Sequence, residues 1–410
     1  MAFVWKRGSC YCVIYNYVNE HGEKKRKWES GYTYKDALKR KSEIEHEQLN
    51  GNFTAPTNIT LSEFVDLWLP IQAKSNWQFN TYSASVGCIN NHILPYIGKT
   101  PLQKLTPYQT EKLISDLYSK KKANHKKNIE SDTENVLSST TIKYIYLLLK
   151  QMLDKAVIWG YISKNPVMCK PPKRSEFEQS IWQPEDFVFA IENIQHPLLH
   201  LAVHLSFICS LRIGELLAIT LDDVNFEDRS IHISKTIQRV RSEALSLLPH
   251  HSIVKIFPSK LEKSNSRLIL KDPKTKTSCR KVYLTQPLLE EIQERMLRIE
   301  TAQGFYGWKG DSLLFCLDET GDPIEPNLCE KWFVKWQKKN LSDCSHISFH
   351  GIRHSSATYK LILSEGDYKA VQGDTGHKTA DMLMNTYAHI QDINRQKLAK
   401  KLEQEFYVSK

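Results

Sequence analysis

The sequence predicts a multidomain, mostly helical protein. It would have a small α+β unit at the N-terminus, an all-α unit after it, and a larger, mainly α unit with a small antiparallel sheet. Three observations lead there. A chain of 410 residues is too long for one ordinary core. Apolar residues recur at helical spacing through most of it, for example at 61, 64, 65, 68 and 69 of "LSEFVDLWLPIQ". Two stretches, "NFTAPTNIT" and the proline-rich, basic "SKNPVMCKPPKRSE", interrupt the pattern and read as linkers.

Each element follows from its local pattern. "FVWKRGSCYCVIYNYVNEHGEKKRKWESGYT" is rich in aromatic and β-branched residues and reads as strands around a turn at "NEHGE". "YKDALKRKSEIEHEQLNG" follows as a helix that ends near Gly51. Lys6, Arg7, Lys24, Lys25, Arg26 and Lys27 on that sheet suit a DNA contact or a solvated hairpin equally. Helical patterns then recur in "NTYSASVGCINNHILPYIG", "TPYQTEKLISDLYSKKK" and "SSTTIKYIYLLLKQMLDKAVIWGYI", with Thr106 as N-cap before Pro107. "SKKKANHKKNIESDTENVLSS" is a polar loop that runs from basic to acidic. Beyond residue 180, "QPEDFVFAIENI" and "PLLHLAVHLSFICSLRIGELLAI" read as helical, "RSIHISKTIQRV" and "RKVYLT" as strands, and the rest as helices.

Composition narrows the function classes. Lys and Arg number 56 against 46 Asp and Glu, a formal net charge of +10, which favours a polyanionic partner such as nucleic acid. The nine cysteines are odd in number, scattered and without a C-x-x-C pair. That excludes a disulfide framework or a zinc ribbon and fits free thiols in a reducing cytoplasm. There is no signal-peptide pattern and no run of about 18 apolar residues, the length a membrane helix needs. The expectation is a soluble, cytoplasmic protein.

Four segments carry chemistry. In "CSLRIGELLAIT", residues 209–220, Arg212 sits in an apolar stretch and needs a partner, either Glu215 three residues on or a bound phosphate. In "LKDPKTKTSCRKVYLT", residues 270–285, Lys274 (with Lys276 as its alternate) reaches into a cleft from a hairpin tip or belongs to a solvated basic turn. "ISFHGIRHSSATYK", residues 347–360, holds His350, Arg353 and His354. His350 and His354 stand at i, i+4 on a helix starting near His350, with Asp343, Cys344 and His346 upstream. That suits a zinc pair, a basic helix face or half of an active site, although no H-E-x-x-H motif is present. His200 and His204 form a second such pair with as little support. In "GDTGHKTADMLMNTYAHI", residues 373–390, His377 follows a glycine and Tyr387 comes ten residues later. The alternative there is a capped helix with Met382, Leu383 and Met384 in the core and a surface tyrosine.

Taken in order, R-x-x-E at Arg212–Glu215, Lys274 before a strand, H-x-x-R at His350–Arg353, G-H at Gly376–His377 and finally Tyr387 resemble the tyrosine recombinase (phage integrase) family, of phage or conjugative transposon type. The resemblance implies an arm-type DNA-binding domain over 1–55, a helical core-binding (SAM-like) domain over 60–168, and a catalytic domain with a C-terminal tail over 180–410. Three departures stand out. Ser210 replaces a frequent Gly, Thr375 replaces a frequent Leu, and 236–270 is longer than the family's minimal hairpin.

The implied reaction is transesterification at a DNA phosphodiester, integrating or excising a mobile element. Tyr387 is the nucleophile and His350 the base. Arg212 and Arg353 clamp the non-bridging oxygens, His377 adds a hydrogen bond and Lys274 protonates the leaving 5′ oxygen. Glu215 orients Arg212 or a histidine. His354 is structural, and Arg353→Ala is expected to abolish cleavage with the fold intact. No cofactor, metal or ATP is implied. The implied partners are double-stranded DNA at core and arm-type sites, a homo-tetramer on that DNA, and accessory excision or bending proteins, with no membrane. The tail's Leu398, Leu402 and Phe406 dock on their own domain or on a neighbouring protomer. Rival readings are type IB topoisomerase-like relaxation, a catalytically inactive DNA-binding regulator, and a metal-dependent nuclease built on the histidines.

Overall fold

The computed structural model describes residues 2–18, 22–51, 53–120, 136–173, 180–259, 264–273, 278–309, 313–342, 346–376, 399–400 and 402–404. The chain divides into two compact units, one of Met1–Glu176 with Ser246–Leu248 and the other of Phe177–Leu245 with Pro249–Lys410.

The first unit opens with an antiparallel sheet in chain order, β1 (Ala2–Arg7), β2 (Cys10–Val18) and β3 (Lys24–Tyr32). Side chains alternate between its faces. Ala2, Val13 and Tyr15 are buried with Ala37 and Ile44 of α1 (Tyr34–Leu49). Thr33 caps that helix by accepting from the Asp36 N–H. Register puts Phe3, Ile14 and Trp28 side by side on the opposite face, with Trp5 against Cys12 and Arg26 against Asn16. Phe3, Trp5 and Trp28 are exposed there.

The helices α2 (Leu61–Asn76), α3 (Phe79–Cys88), α4 (Leu94–Ile97), α5 (Pro107–Tyr118) and α6 (Ser139–Ile158) follow, with a π-helical turn at Ile89–Ile93 joining α3 to α4. Leu61, Phe64, Trp68, Leu149 and Met152 belong to their shared core. Thr60 with Glu63 and Thr106 with Gln109 form capping boxes at the starts of α2 and α5, the latter with Pro107 in first place. Most of the polar loop before α6, residues 121–135, lies outside the described residues.

The second unit begins with α7 (Pro184–Asn193), α8 (Pro197–Ile208) and the single turn α9 (Ile213–Leu216). Then come β4 (Val224–Asn225), β5 (Ser230–Ile233), β6 (Thr236–Arg241), α10 (Ser242–Leu247), β7 (Ile253–Ile256), β8 (Ser266–Lys271) and β9 (Arg280–Tyr283). The helices α11 (Gln286–Tyr306), α12 (Pro326–Asn340), α13 (Phe349–Leu363) and α14 (Tyr368–Thr375) complete it. A helix apolar nearly all round must be buried. α8, "PLLHLAVHLSFI", is that helix, and α7, α9, α11, α12 and α13 pack against it.

The strands form two small antiparallel sheets, β4-β5-β9 and β6-β8-β7, where the sequence predicted one. The long stretch 236–270 accounts for the difference. It builds the second sheet around its own apolar cluster of Ile237, Phe257, Leu268 and Leu270 with Ala218 and Leu313. Among the described residues no helix is long and apolar enough to cross a membrane.

The α9 turn lies close against β6. A Cβ on Gly214 would stand 2.6 Å from Thr236 Oγ1 and 2.9 Å from the Ile237 carbonyl oxygen. The second neighbour is backbone and has little room to give. Gly214→Ala should therefore cost about 1–3 kcal/mol, read as a lower urea midpoint. An unchanged midpoint would mean that β6 moves freely.

Candidate active site

Cys209 caps the end of α8, and the chain turns at Ser210 with φ of +50° before Arg212 opens α9 as its N-cap. That backbone conformation is the one glycine adopts without strain, so the family's usual Gly at Ser210 has a physical reason. The serine is compensated: its Oγ bonds Ser356 Oγ at 2.5 Å, and Ser356 Oγ also donates to the Phe207 carbonyl. Arg212 grips Glu215 twice, with its backbone N–H on Oε2 at 3.2 Å and Nη1 on Oε1 at 2.7 Å.

α13 starts where Ser348 accepts from the Gly351 N–H, one residue earlier than the sequence pattern placed it. Its fifth residue, Arg353, points inward and is 0% exposed. Nη1 donates to the Ser210 carbonyl and Nη2 to the Thr375 carbonyl, each at 2.6 Å. Nη1 also lies 3.7 Å from Glu215 Oε2, and Nε has no partner among the described residues. Arg353 thus ties the turn after α8 to the end of α14. Arg353→Ala would orphan both carbonyls and open a void, so the expectation that it spares the fold is corrected here.

From β9, Arg280 sends Nη2 to Glu215 Oε2 at 3.0 Å and Nε to the Asp374 carbonyl at 2.9 Å. Gly376 caps α14 in the left-handed conformation at φ of +65°. A Cβ there would come within 3.2 Å of the Arg280 side chain. Lys360, two turns beyond Arg353 on α13, pairs with the Asp374 carboxylate.

Glu215 is 5% exposed and sits among three guanidiniums. Burial pushes its carboxyl up, but Arg280, Arg212 and Arg353 together hold it below the usual carboxylate range. Burial, then the Arg212 charge, lower Arg353 to about 9, so it remains cationic at neutral pH. Burial lowers Lys360 to about 8 despite its carboxylate partner.

The His350 and His354 rings meet edge to face at 4.5 Å between centroids. Burial, Arg353 and Arg212 lower His350, which still has an exposed edge. Burial, then His350 and Arg353, take His354 to about 4. Both rings are therefore neutral near pH 7, and His350 has a free capacity to accept a proton. Arg212 is the open face of the cluster, with 40% of its side chain exposed. Among the described residues four cations, Arg212, Arg280, Arg353 and Lys360, face two carboxylates, Glu215 and Asp374. The surplus of two positive charges suits an anion.

Of the residues named from sequence, Arg212, Glu215, His350 and Arg353 come together here. Lys274, Lys276, His377 and Tyr387 lie outside the described residues. Arg280 and Lys360 escaped the sequence reading, although each left a signal. Arg280 shares strand parity with the buried Val282, and its neighbours Lys281 and Tyr283 face solvent. Lys360 is seven residues from Arg353 and shares its helix face.

A partly buried cationic cluster beside a histidine suits a phosphate group. Comparison with known proteins narrows the class. The profile of the phage integrase family matches residues 188–393, and that of the phage integrase N-terminal SAM-like domain matches 60–118. A tyrosine recombinase XerC-like protein of Caldanaerobacter subterraneus subsp. tengcongensis is 25% identical over 91% of this chain and 90% of its own. The integrase of Staphylococcus phage L54a is 26% identical over 57% of this chain and 60% of its own. Among solved structures, the Tn1549 transposon integrase in complex with transposon right end DNA aligns with TM-score 0.60 at 19% identity, covering 84% of this chain and 99% of that one. A lambda integrase tetramer bound to a Holliday junction aligns with TM-score 0.51 at 16% identity, covering 93% and 94%. The chain belongs to the phage integrase family, the tyrosine recombinases, and is a DNA strand-transferring enzyme of site-specific recombination.

Two outcomes test the electrostatics. Glu215→Gln leaves three guanidiniums without their shared anion and should cost about 3–5 kcal/mol in a denaturant titration; a loss under about 1 kcal/mol would mean that the arginines do not depend on it. His354 binds its proton near pH 4 when folded, against an ordinary value of about 6.5 when unfolded. Stability should fall as pH drops through that window and level off below it. His354→Gln should flatten this part of the stability curve, and an unchanged slope would count against the buried neutral ring.

Proposed function

We propose that the enzyme cuts and rejoins duplex DNA through a 3′-phosphotyrosyl intermediate. The Tyr387 phenolic oxygen attacks the scissile phosphorus and the P–O5′ bond breaks. His350 takes the phenolic proton, and Lys274 gives one to the leaving 5′ oxygen. Arg212 binds the non-bridging oxygens directly. Arg353 adds its charge and spare Nε from behind, and His377 donates a further hydrogen bond. Glu215 holds Arg212 in place. The second strand-transfer step reverses these roles, so the phosphoester energy is kept and no ATP is consumed. The observation that carries this reading is the surplus of positive charge around Glu215, with Arg212 as its exposed edge.

The same reading divides the chain into an arm-type DNA-binding domain over 1–55, a core-binding domain over 60–168 and a catalytic domain over 180–410. The exposed sheet face that carries Phe3, Trp5 and Trp28 with Arg7, Lys24 and Arg26 supports the first of these, because aromatic and basic groups together suit nucleic acid. A homo-tetramer assembles on paired core sites, and accessory bending or excision proteins set the direction of the reaction.

A nicked suicide duplex, built from the junctions of the element that carries the gene, tests the chemistry. Incubated in EDTA, wild-type protein should form a covalent protein–DNA adduct that denaturing gels resolve. Tyr387→Phe should form none, and Arg212→Ala should slow adduct formation by about 10²–10³-fold. An adduct that survives Tyr387→Phe would overturn the assignment of the nucleophile.

A further inference from the structure

We propose that His200, His204 and Glu291 form a binding site for one divalent transition-metal ion of the Zn2+ type, which braces α8 against α11. The sequence showed only the i, i+4 histidine pair. Folding supplies the carboxylate from 91 residues along the chain. His200 Nδ1 lies 2.6 Å from Glu291 Oε1 and His204 Nδ1 lies 2.8 Å from Glu291 Oε2. Among the described residues this is the one group of three metal-capable side chains whose ligand atoms all lie within 4.8 Å of one another.

The hydrogen bond on the far side of His200 gives the arrangement a direction. Its Nε2 lies 3.0 Å from the Ile191 carbonyl oxygen, which can only accept, so Nε2 carries a proton. Nδ1 is then the ring atom that faces Glu291, and either a second ring proton or a metal ion joins the two. A backbone carbonyl that fixes the outer ring nitrogen is the usual support of a metal-bound histidine. Bond lengths of about 2.0–2.2 Å to Zn2+ place tetrahedral ligand atoms about 3.3 Å apart. The two His–Glu separations need to open by only roughly 0.5–0.7 Å to reach that span.

Access and charge are both provided. A pocket lined by Ile194, Pro197, His200, Leu201, Glu291 and Glu294 opens onto His200 and Glu291. Two arginines line it as well, but each is already engaged. Arg295 is bonded to the Leu314 and Cys316 carbonyls and to Asp318, and Arg298 to Glu294. Two imidazoles and one carboxylate select a borderline transition ion over Mg2+ or Ca2+. The site shares no residue with the arginine cluster; it would join α11 to α8, whose C-cap Cys209 directly precedes Ser210.

Full-length protein stripped with chelator and dialysed should gain thermal stability on addition of one equivalent of Zn2+. His204→Gln and Glu291→Gln should each weaken Zn2+ binding by more than about 10-fold and lose the thermal shift. Co2+ should give visible d–d bands without the thiolate charge-transfer band of a cysteine site, and both variants should lose them. An equal shift in wild type and variants would place the ion elsewhere, on the surface thiols. No shift in wild type would leave a proton-bridged His–Glu–His ion pair. Either result overturns the proposal.

Discussion

The second unit turns on one buried carboxylate. Glu215 is nearly removed from water, a position that carries a large desolvation cost for an ionised group. It stays ionised because guanidiniums from the turn into α9, from β9 and from α13 converge on its two oxygens. The dependence runs the other way as well. Three like charges at this spacing would repel one another strongly in a low-dielectric interior, and Glu215 is what lets them share it. The carboxylate therefore sets the relative position of three elements far apart in sequence, and Gly214 lets α9 approach β6 closely enough for it to do so.

Arg353 extends this tie to a fourth element. Its two terminal nitrogens are bound to the carbonyls of Ser210 and Thr375, the two positions where the sequence departs from the family's usual residues. Both contacts are made through the main chain, so the side chain at either position can change without losing them. What must be kept is backbone geometry: a left-handed turn at Ser210, and a helix end at Thr375 that Gly376 redirects past Arg280.

Much of this was legible in the sequence, and the gaps have physical causes. The helices of the first unit announce themselves through period and caps, as Thr60 and Thr106 show. Arg212, Glu215, His350 and Arg353 were legible because short i, i+3 spacings sit on helix starts, where polar groups have work to do. The second sheet was not, because β8 is a short apolar run whose pattern does not distinguish strand from buried helix. Arg280 was hidden for a related reason: a strand arginine between lysine and cysteine reads as solvated until pairing fixes which face it occupies. Glu291 is the extreme case, since nothing local connects it to two histidines on another helix.

The arginine cluster is built at the expense of the free protein's stability. Two uncompensated positive charges held together raise the energy of the folded state, and no rearrangement within the cluster removes them, because Arg353 is locked by carbonyls and Arg280 by Glu215 and Asp374. A bound phosphate would relieve that repulsion, so anion binding and folding would be linked in sign: whatever strengthens the charge surplus would destabilise the empty enzyme and tighten its hold on the phosphate. The same linkage explains why Arg353 is buried and Arg212 is not. The buried arginine fixes the field and the geometry permanently. The exposed one, tethered to Glu215 by a single turn of helix, is the donor that can meet a ligand without dismantling the scaffold that aims it.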